Sequence, residues 1–152
     1  MISNSMRFDH LGVVVSDLNL GRHHFSEIYG INSWTDAFVD ELNGVYAQFG
    51  RSKDKFCYEL VAPIDENSPI SNVLSKKINI LNHIAYIVDV IDACSDKLLN
   101  NNFIPLGEPK NAVAYNMKKV QFFYSKEFDY ILEIIEAPDF CHKYFSTKDA
   151  FI

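Results

Sequence analysis

Two stretches of apolar residues in the chain share one pattern. Positions 8–15 and 81–88 each begin with an apolar residue, continue with Asp or Asn and then His, and end in an apolar run rich in β-branched residues. Runs of this length and composition are typical of buried strands. The two histidines, His10 and His83, are 73 positions apart.

A second pair of apolar runs follows in the same order. Residues 56–63 and 130–138 each carry a glutamate inside the run, Glu59 and Glu133, and each run ends in Ala-Pro. These glutamates are 74 positions apart, nearly the same offset as the histidines. Two matches at one offset indicate an internal duplication.

Between each histidine and its glutamate the pattern predicts a helix and then short strands. A polar turn ending in Asn19 follows the first strand, with Ser or Asp as the predicted helix cap, and Gly30 ends the helix. We therefore predict an α+β fold of two tandem βαβββ modules. Its elements are strand 8–15, helix 19–29 and strands 44–50 and 55–62 in the first half, and strand 81–88, helix 90–101 and strands 112–115, 119–124 and 129–136 in the second.

A module of this size buries too little surface to be stable alone, so the two modules are expected to share one core. The predicted organisation is one domain over residues 1–152. Its parts are a first module over about 7–63, a linker over 64–79 with a short helix at Ser71–Lys77, a second module over about 80–138, and a C-terminal extension over 139–152.

The repeated histidine and glutamate predict a metal site. An ionised carboxylate inside an apolar strand is costly unless it is paired or bound to a cation. Two imidazoles and two carboxylates suit one divalent ion such as Zn, Ni, Co, Mn or Fe. The candidate ligands are His10, Glu59, His83 and Glu133.

Other polar residues near these strands are weaker candidates. Because side chains alternate along a strand, Asp9 and Asn82 are predicted to face away from the site and to play no part in it. His23 and His24 are adjacent on a helix, where neighbouring side chains diverge, and are predicted to be solvated. His142, in the tail, is interpreted as incidental.

Composition narrows the class of function. The chain is 48% hydrophobic and its formal charge is −6, which argues against a nucleic-acid surface. No apolar run approaches the roughly 20 residues of a membrane helix. Three widely spaced cysteines, read as buried free thiols, and an N-terminus without a secretory pattern predict a cytoplasmic protein.

Over about residues 7–138 the chain resembles the vicinal oxygen chelate (glyoxalase/bleomycin resistance/dioxygenase) superfamily. Within that superfamily it is most similar to the methylmalonyl-CoA epimerases. The segment Ser68–Ile70 favours these epimerases over glyoxalase I. The segments that carry the resemblance are 8–13, 58–63, 67–70, 82–85 and 132–134.

The resemblance implies paired modules that form an open, cup-shaped sheet around one divalent ion held by the four candidate ligands. It implies a metal-dependent isomerase or epimerase that catalyses a 1,2-proton shift next to a carbonyl, with an acyl-CoA thioester as the expected substrate. Glu59 and Glu133 are the expected catalytic carboxylates, and a homodimer is expected. The alternatives are a glyoxalase I-like lyase and a metal-free small-molecule binding or resistance protein. The presence of Glu59 argues against an extradiol dioxygenase.

Two features depart from the epimerase pattern. Some epimerases carry a further catalytic Glu on the strand that corresponds to 44–50, where this chain has Ala47 or Gln48. The loop before the last strand, Tyr124–Tyr130, lacks the usual Pro- or Gly-rich turn. The resemblance therefore does not determine which acyl group the substrate carries. Lysines near that hairpin and after the linker helix are candidates for phosphate contacts, but a solvated surface is the favoured interpretation.

Overall fold

The structure is a computed structural model and describes residues 5–78 and 81–146. Its elements, in chain order, are β1 (Arg7–Val14), α1 (Leu18–Tyr29), β2 (Ser33–Trp34), β3 (Phe38–Asp40), β4 (Val45–Arg51), β5 (Cys57–Pro63), α2 (Ser71–Lys76), β6 (Leu81–Val88), α3 (Ile91–Asn100), β7 (Phe103–Pro105), β8 (Lys110–Ala112), a 3-10 turn (Val113–Tyr115), β9 (Lys118–Ser125), β10 (Tyr130–Glu136) and β11 (Phe145–Ser146).

The chain forms two compact units. The first, here called the β10 unit, contains the described residues up to His10 together with His83–Phe140. The second, the β5 unit, contains Leu11–Asn82 and the described residues from Cys141 onward. Strand β1 contributes its first residues to the β10 unit and the rest to the β5 unit.

In the β10 unit, strand β10 runs parallel to β6 and antiparallel to β9, and β9 also pairs with β7 and β8. Helix α3 covers one face of these strands. Apolar side chains of the helix meet those of the strands in a buried core of Val88, Ile91, Cys94, Leu98, Phe123, Leu132 and Ile134.

The β5 unit repeats this arrangement. Strand β5 runs parallel to β1 and antiparallel to β4, and β4 also pairs with β2 and β3. Helix α1 covers one face, with a buried core of Val13, Phe25, Ile31, Trp34 and Leu60. Strand β11, from the C-terminal extension, pairs with β2.

The helix ends follow the predicted signals. Asp17 is the N-cap of α1, and its side chain accepts a hydrogen bond from the Leu20 N–H at 3.0 Å. Gly30 ends this helix with φ of +64°, a left-handed conformation that favours glycine. Helix α3 also lies within one residue of its predicted ends.

One predicted strand is wrong over most of its length. Residues 112–115 were expected to be extended, but strand β8 ends at Ala112 and Val113–Tyr115 form a 3-10 turn. The next residues, Asn116 and Met117, have φ of +53° and +63°, and this reversal is incompatible with continued strand pairing.

The three cysteines, all in the described part of the chain, are not joined in disulfides, as expected, but only Cys57 and Cys94 are buried, whereas Cys141 is exposed. None of the helices in the described part of the chain is long and apolar enough to cross a membrane.

Candidate metal centre

Strand alternation in the β10 unit places His83 and Glu133 on one face. Leu132 and Ile134 point toward α3, so Glu133 points to the opposite face. In the parallel pairing of β10 and β6, Glu133 lies beside Ala85, two residues beyond His83 and therefore on the same face of β6. The local pattern of apolar residues thus determines where both side chains point.

Three of the four predicted ligands converge in this unit. The Nε2 atoms of His10 and His83 are 3.0 Å apart, and Glu133 Oε2 lies 3.3 Å from the first and 3.2 Å from the second. All three residues are buried, with exposed fractions of 0%, 6% and 5% respectively. The structure therefore brings these three predicted residues into direct contact.

The electrostatics of Glu133 follow from this arrangement. Burial alone raises the pKa of its carboxyl group, but hydrogen bonds to His10 and His83, together with their charge, outweigh burial and hold the pKa below its ordinary value. The carboxylate is therefore ionised at neutral pH and directed at two imidazole nitrogens.

The donor set fits a divalent metal ion. Two imidazole nitrogens and a carboxylate oxygen are typical ligands of borderline divalent ions, and here one such atom from each residue lies within 4.8 Å of the other two. The deep burial of three ionisable side chains on an otherwise apolar face has a simple explanation if they bind a cation. His10, His83 and Glu133 are thus a group that could hold a metal ion.

Two residues of this site were missed. Asp9 Oδ2 lies 2.8 Å from His10 Nδ1, and Tyr115 donates its hydroxyl hydrogen to the same oxygen at 2.6 Å. The prediction that Asp9 has no part in the site is wrong: a short carboxylate can bend back to the ring of its strand neighbour. Tyr115 is the last residue of the segment 112–115 that was predicted as a strand, and no sequence signal marked it as part of a site.

Glu59 lies in the β5 unit, on strand β5. It is half-buried, and it pairs in parallel register with Gly12 and in antiparallel register with Phe49. Its neighbour Leu60 belongs to the core under α1, so Glu59 points to the face opposite that helix.

The position at which some epimerases carry a further Glu is also clear in this unit. Ala47 is buried and pairs with Val61, two residues from Glu59 and on the same face. Gln48 pairs with Leu60 on the opposite face, where its side-chain amide donates to the Thr35 carbonyl at 2.8 Å. Of these two residues, Ala47 is therefore the one that shares a face with Glu59, and it offers no carboxylate.

The weaker candidates are solvated, as predicted. His23 and His24 are exposed on α1. The lysines considered for phosphate contacts are also exposed: Lys76, Lys77, Lys118, Lys119 and Lys126.

Comparison with known proteins identifies the family. Residues 9–122 match the profile of the Glyoxalase/Bleomycin resistance protein/Dioxygenase superfamily. The uncharacterized protein YqjC of Bacillus subtilis is 27% identical over 136 residues, which cover 87% of this chain and 92% of that protein.

Solved structures share the fold. A hypothetical protein from Bacillus halodurans C-125 matches with a TM-score of 0.78 at 20% identity, over 91% of this chain and 99% of the other. Methylmalonyl-CoA epimerase from Mycobacterium tuberculosis matches with a TM-score of 0.72 at 20% identity, over 88% and 87% of the two chains. A variant of the Streptomyces coelicolor epimerase, in complex with 2-nitronate-propionyl-CoA, matches with a TM-score of 0.73 at 22% identity, over 89% and 97%.

These matches confirm the predicted α+β fold and the resemblance on which it was based. The family profile covers most of the chain, from the first candidate ligand strand to β9. The chain therefore belongs to the glyoxalase/bleomycin resistance protein/dioxygenase superfamily.

Proposed function

We propose that the protein is a metal-dependent isomerase that moves a proton at the carbon next to a carbonyl group. The observation that carries this proposal is the buried convergence of His10, His83 and Glu133, whose ligand atoms are separated by only 3.0 to 3.3 Å. A metal-free binding protein has no need for three buried ionisable groups pointing at one position.

Glu59 is proposed as the fourth ligand. Support comes from the duplication, since Glu59 and Glu133 have matching neighbours in their strands. Glu133 pairs with Ala85 and Phe122, and Glu59 pairs with Gly12 and Phe49. Gly12 and Ala85 each lie two residues after a candidate histidine, so the two halves offer equivalent positions for one histidine and one carboxylate each.

The proposed reaction divides the labour among these residues. A divalent ion held by them supplies a Lewis acid that polarises a carbonyl oxygen. One glutamate carboxylate takes the proton from the adjacent carbon, and the electron pair of the broken C–H bond passes into the carbonyl group. The other glutamate, as its acid, returns a proton to carbon, so the product is an isomer of the substrate and the enzyme ends with its protons redistributed.

An acyl-CoA thioester is the proposed substrate class. The Streptomyces coelicolor enzyme, which shares the fold, is a methylmalonyl-CoA epimerase in complex with a CoA compound. The carbon next to a thioester carbonyl is acidic enough for carboxylate-assisted proton transfer when the carbonyl is polarised.

A glyoxalase I-like reaction is the second candidate, and one observation favours it. Ala47 offers no carboxylate on the face of the β5 unit that carries Glu59. Proton transfer would then depend on the proposed metal ligands alone, as the resemblance to glyoxalase I implies.

Metal content is the first test. Elemental analysis of untagged wild-type protein is expected to give about one divalent ion per chain. The double variant Glu59→Ala/Glu133→Ala is expected to lose the ion, while Glu127→Ala, which removes an exposed loop carboxylate, should retain it. Wild-type protein that stays empty after incubation with Zn, Ni, Co, Mn and Fe would overturn the proposal in favour of a binding protein.

Substrate assays then separate the two reactions. Loaded enzyme in deuterated water is expected to exchange the α-proton of methylmalonyl-CoA, followed by mass spectrometry. Conversion of the hemithioacetal of methylglyoxal and glutathione, without exchange of any acyl-CoA, would instead establish the glyoxalase I-like function.

A further inference from the structure

We infer that Asp9 and Tyr115 are positioning residues that fix the ring of His10 and thereby preorganise the metal centre. This role rests on the proposed function in one respect, namely that His10 binds a metal ion. Both residues lie in the β10 unit with His10, His83 and Glu133.

The side chains of Asp9, His10 and Tyr115 all contact one another at hydrogen-bonding distance. Tyr115 donates its hydroxyl hydrogen to Asp9 Oδ2 at 2.6 Å, and His10 Nδ1 lies 2.8 Å from the same oxygen. The Tyr115 hydroxyl oxygen is also 3.0 Å from His10 Nδ1. The ring of His10 is thus held on the side opposite its Nε2 atom.

The chemistry of the partners sets the direction of these hydrogen bonds. An ionised carboxylate can only accept, so the hydrogen between His10 and Asp9 belongs to Nδ1. Since Tyr115 donates its hydroxyl hydrogen to Asp9, its oxygen can only accept a hydrogen bond from His10. With Nδ1 engaged by Asp9 and Tyr115, Nε2 is the nitrogen left to bind a cation, and it faces His83 Nε2 and Glu133 Oε2.

Because these side chains are buried, water cannot readily take the place of a hydrogen bond that is removed. His10 is fully buried, and Tyr115 has an exposed fraction of only 2%. The Tyr115 ring packs against Phe140, with centroids 4.8 Å apart, and lies nearly parallel to the His10 ring. Groups of this kind, which hydrogen-bond the ligands rather than the metal, commonly change metal affinity about 10- to 100-fold when removed.

Tyr115 and Asp9 should act through the same histidine, so a double-mutant cycle is the decisive test. The variants are Tyr115→Phe, which keeps the packed ring, Asp9→Asn, which keeps the shape but removes the charge, and the two combined. Tyr124→Phe is the matched control, because Tyr124 also donates its hydroxyl to a carboxylate, that of Asp129, but at the surface.

The first readout is the Kd for Co2+, measured by titration of metal-free protein. We expect Tyr115→Phe to weaken binding about 10-fold and Asp9→Asn about 10- to 100-fold. The double variant should be no weaker than Asp9→Asn by more than about 2-fold, since residues that act as one unit are not additive. Additive losses, or wild-type affinity in Tyr115→Phe, would overturn the inference.

The second readout needs no metal. In 15N NMR of the metal-free protein, Nδ1 of His10 is expected to carry a hydrogen in the wild type and to lack it in part of the molecules in Asp9→Asn. Wild-type protein that binds no Co2+ would defeat the proposed function, yet this spectrum would still decide whether the two residues orient His10. The same occupancy of the Nδ1 hydrogen in wild type and Asp9→Asn would contradict the inference.

Discussion

Glu133 in the β10 unit and Glu59 in the β5 unit occupy equivalent places in two strand ladders but differ in their surroundings. Each glutamate lies between a small residue on a parallel strand and a phenylalanine on an antiparallel strand. Glu133 is buried against two imidazoles, whereas Glu59 is half-buried. The two ladders thus share a backbone arrangement, but the residues that surround each carboxylate differ.

The phenylalanines paired with these two glutamates also differ in the side chains that they contact. Phe122, opposite Glu133, packs edge-on against the candidate ligand His83 at a centroid distance of 5.5 Å. Phe49, opposite Glu59, is covered by His142 of the C-terminal extension at 4.2 Å. His142 is therefore not incidental to the β5 unit, because it covers a fully buried ring of the glutamate-bearing ladder.

The residues that precede the two histidines also differ. Asp9, before His10, hydrogen-bonds to the imidazole of its neighbour, and the equivalent residue before His83 is Asn82. A carboxylate can only accept hydrogen bonds, whereas an amide can both accept and donate them. The two histidines thus share a strand position but follow residues of different hydrogen-bonding character.

The largest effect is expected from Glu133→Gln. The amide keeps the size of the side chain but removes the charge that pairs with His10 and His83, so ion retention and α-proton exchange should both fall to background. Elemental analysis and the exchange assay measure these quantities. Glu127→Gln, an exposed neutralisation in the same unit, should behave as wild type. A Glu133→Gln protein with full metal content and turnover would remove this residue from the site.

Glu59→Gln sharpens the comparison of the two glutamates. Since Glu59 is less buried than Glu133, removal of its charge should weaken Co2+ binding less, while proton exchange should still be lost if it is a catalytic carboxylate. Titration and exchange are measured on the same preparation. Equal losses of affinity in the two variants would make the glutamates equivalent ligands, and unchanged affinity and exchange would reduce the site to three residues.

Only part of the candidate site could be predicted from the sequence. Strand alternation is a local rule, so the repeated His and Glu sufficed to place His83 and Glu133 on one face. Asp9 was missed because that rule describes where a side chain starts and not where a short carboxylate can bend. Tyr115 lies 106 positions from Asp9 in a 3-10 turn, and β2, β3 and β11 are too short to show a period.

The helices of the two units begin differently, and this difference predicts a smaller effect. Helix α1 is capped by the side chain of Asp17, whereas the residue at the same place before α3 is Val90, whose side chain makes no capping hydrogen bond. Instead, Glu136 of strand β10 accepts from the Ile91 N–H at 2.7 Å. Helix caps and charged hydrogen bonds contribute about 1 to 2 kcal/mol, with the more buried contact at the upper end.

Urea unfolding of metal-free protein measures this difference. Glu136→Ala is expected to lower the free energy of unfolding by about 2 kcal/mol and Asp17→Ala by about 1 kcal/mol. Neither residue is a proposed ligand, so Co2+ affinity should change little in either variant. A greater loss of stability in Asp17→Ala would show that the local cap matters more than the contact made by the distant strand.

The smallest expected effect is the pH dependence that Cys94 gives to stability. Burial raises the pKa of this thiol above its ordinary value of 9.0, and the nearby charge of Lys97 offsets part of the rise. The unfolded chain therefore loses the proton at lower pH than the folded protein, so stability declines as pH rises above about 9, by less than about 1.4 kcal/mol per pH unit. Urea unfolding between pH 8 and 10 should show a shallower decline in Cys94→Ala than in wild type, and an unchanged slope in Cys141→Ala, which removes an exposed thiol. Equal declines in the free energy of unfolding of wild type and Cys94→Ala would mean that burial in the core of the β10 unit does not disfavour the Cys94 thiolate.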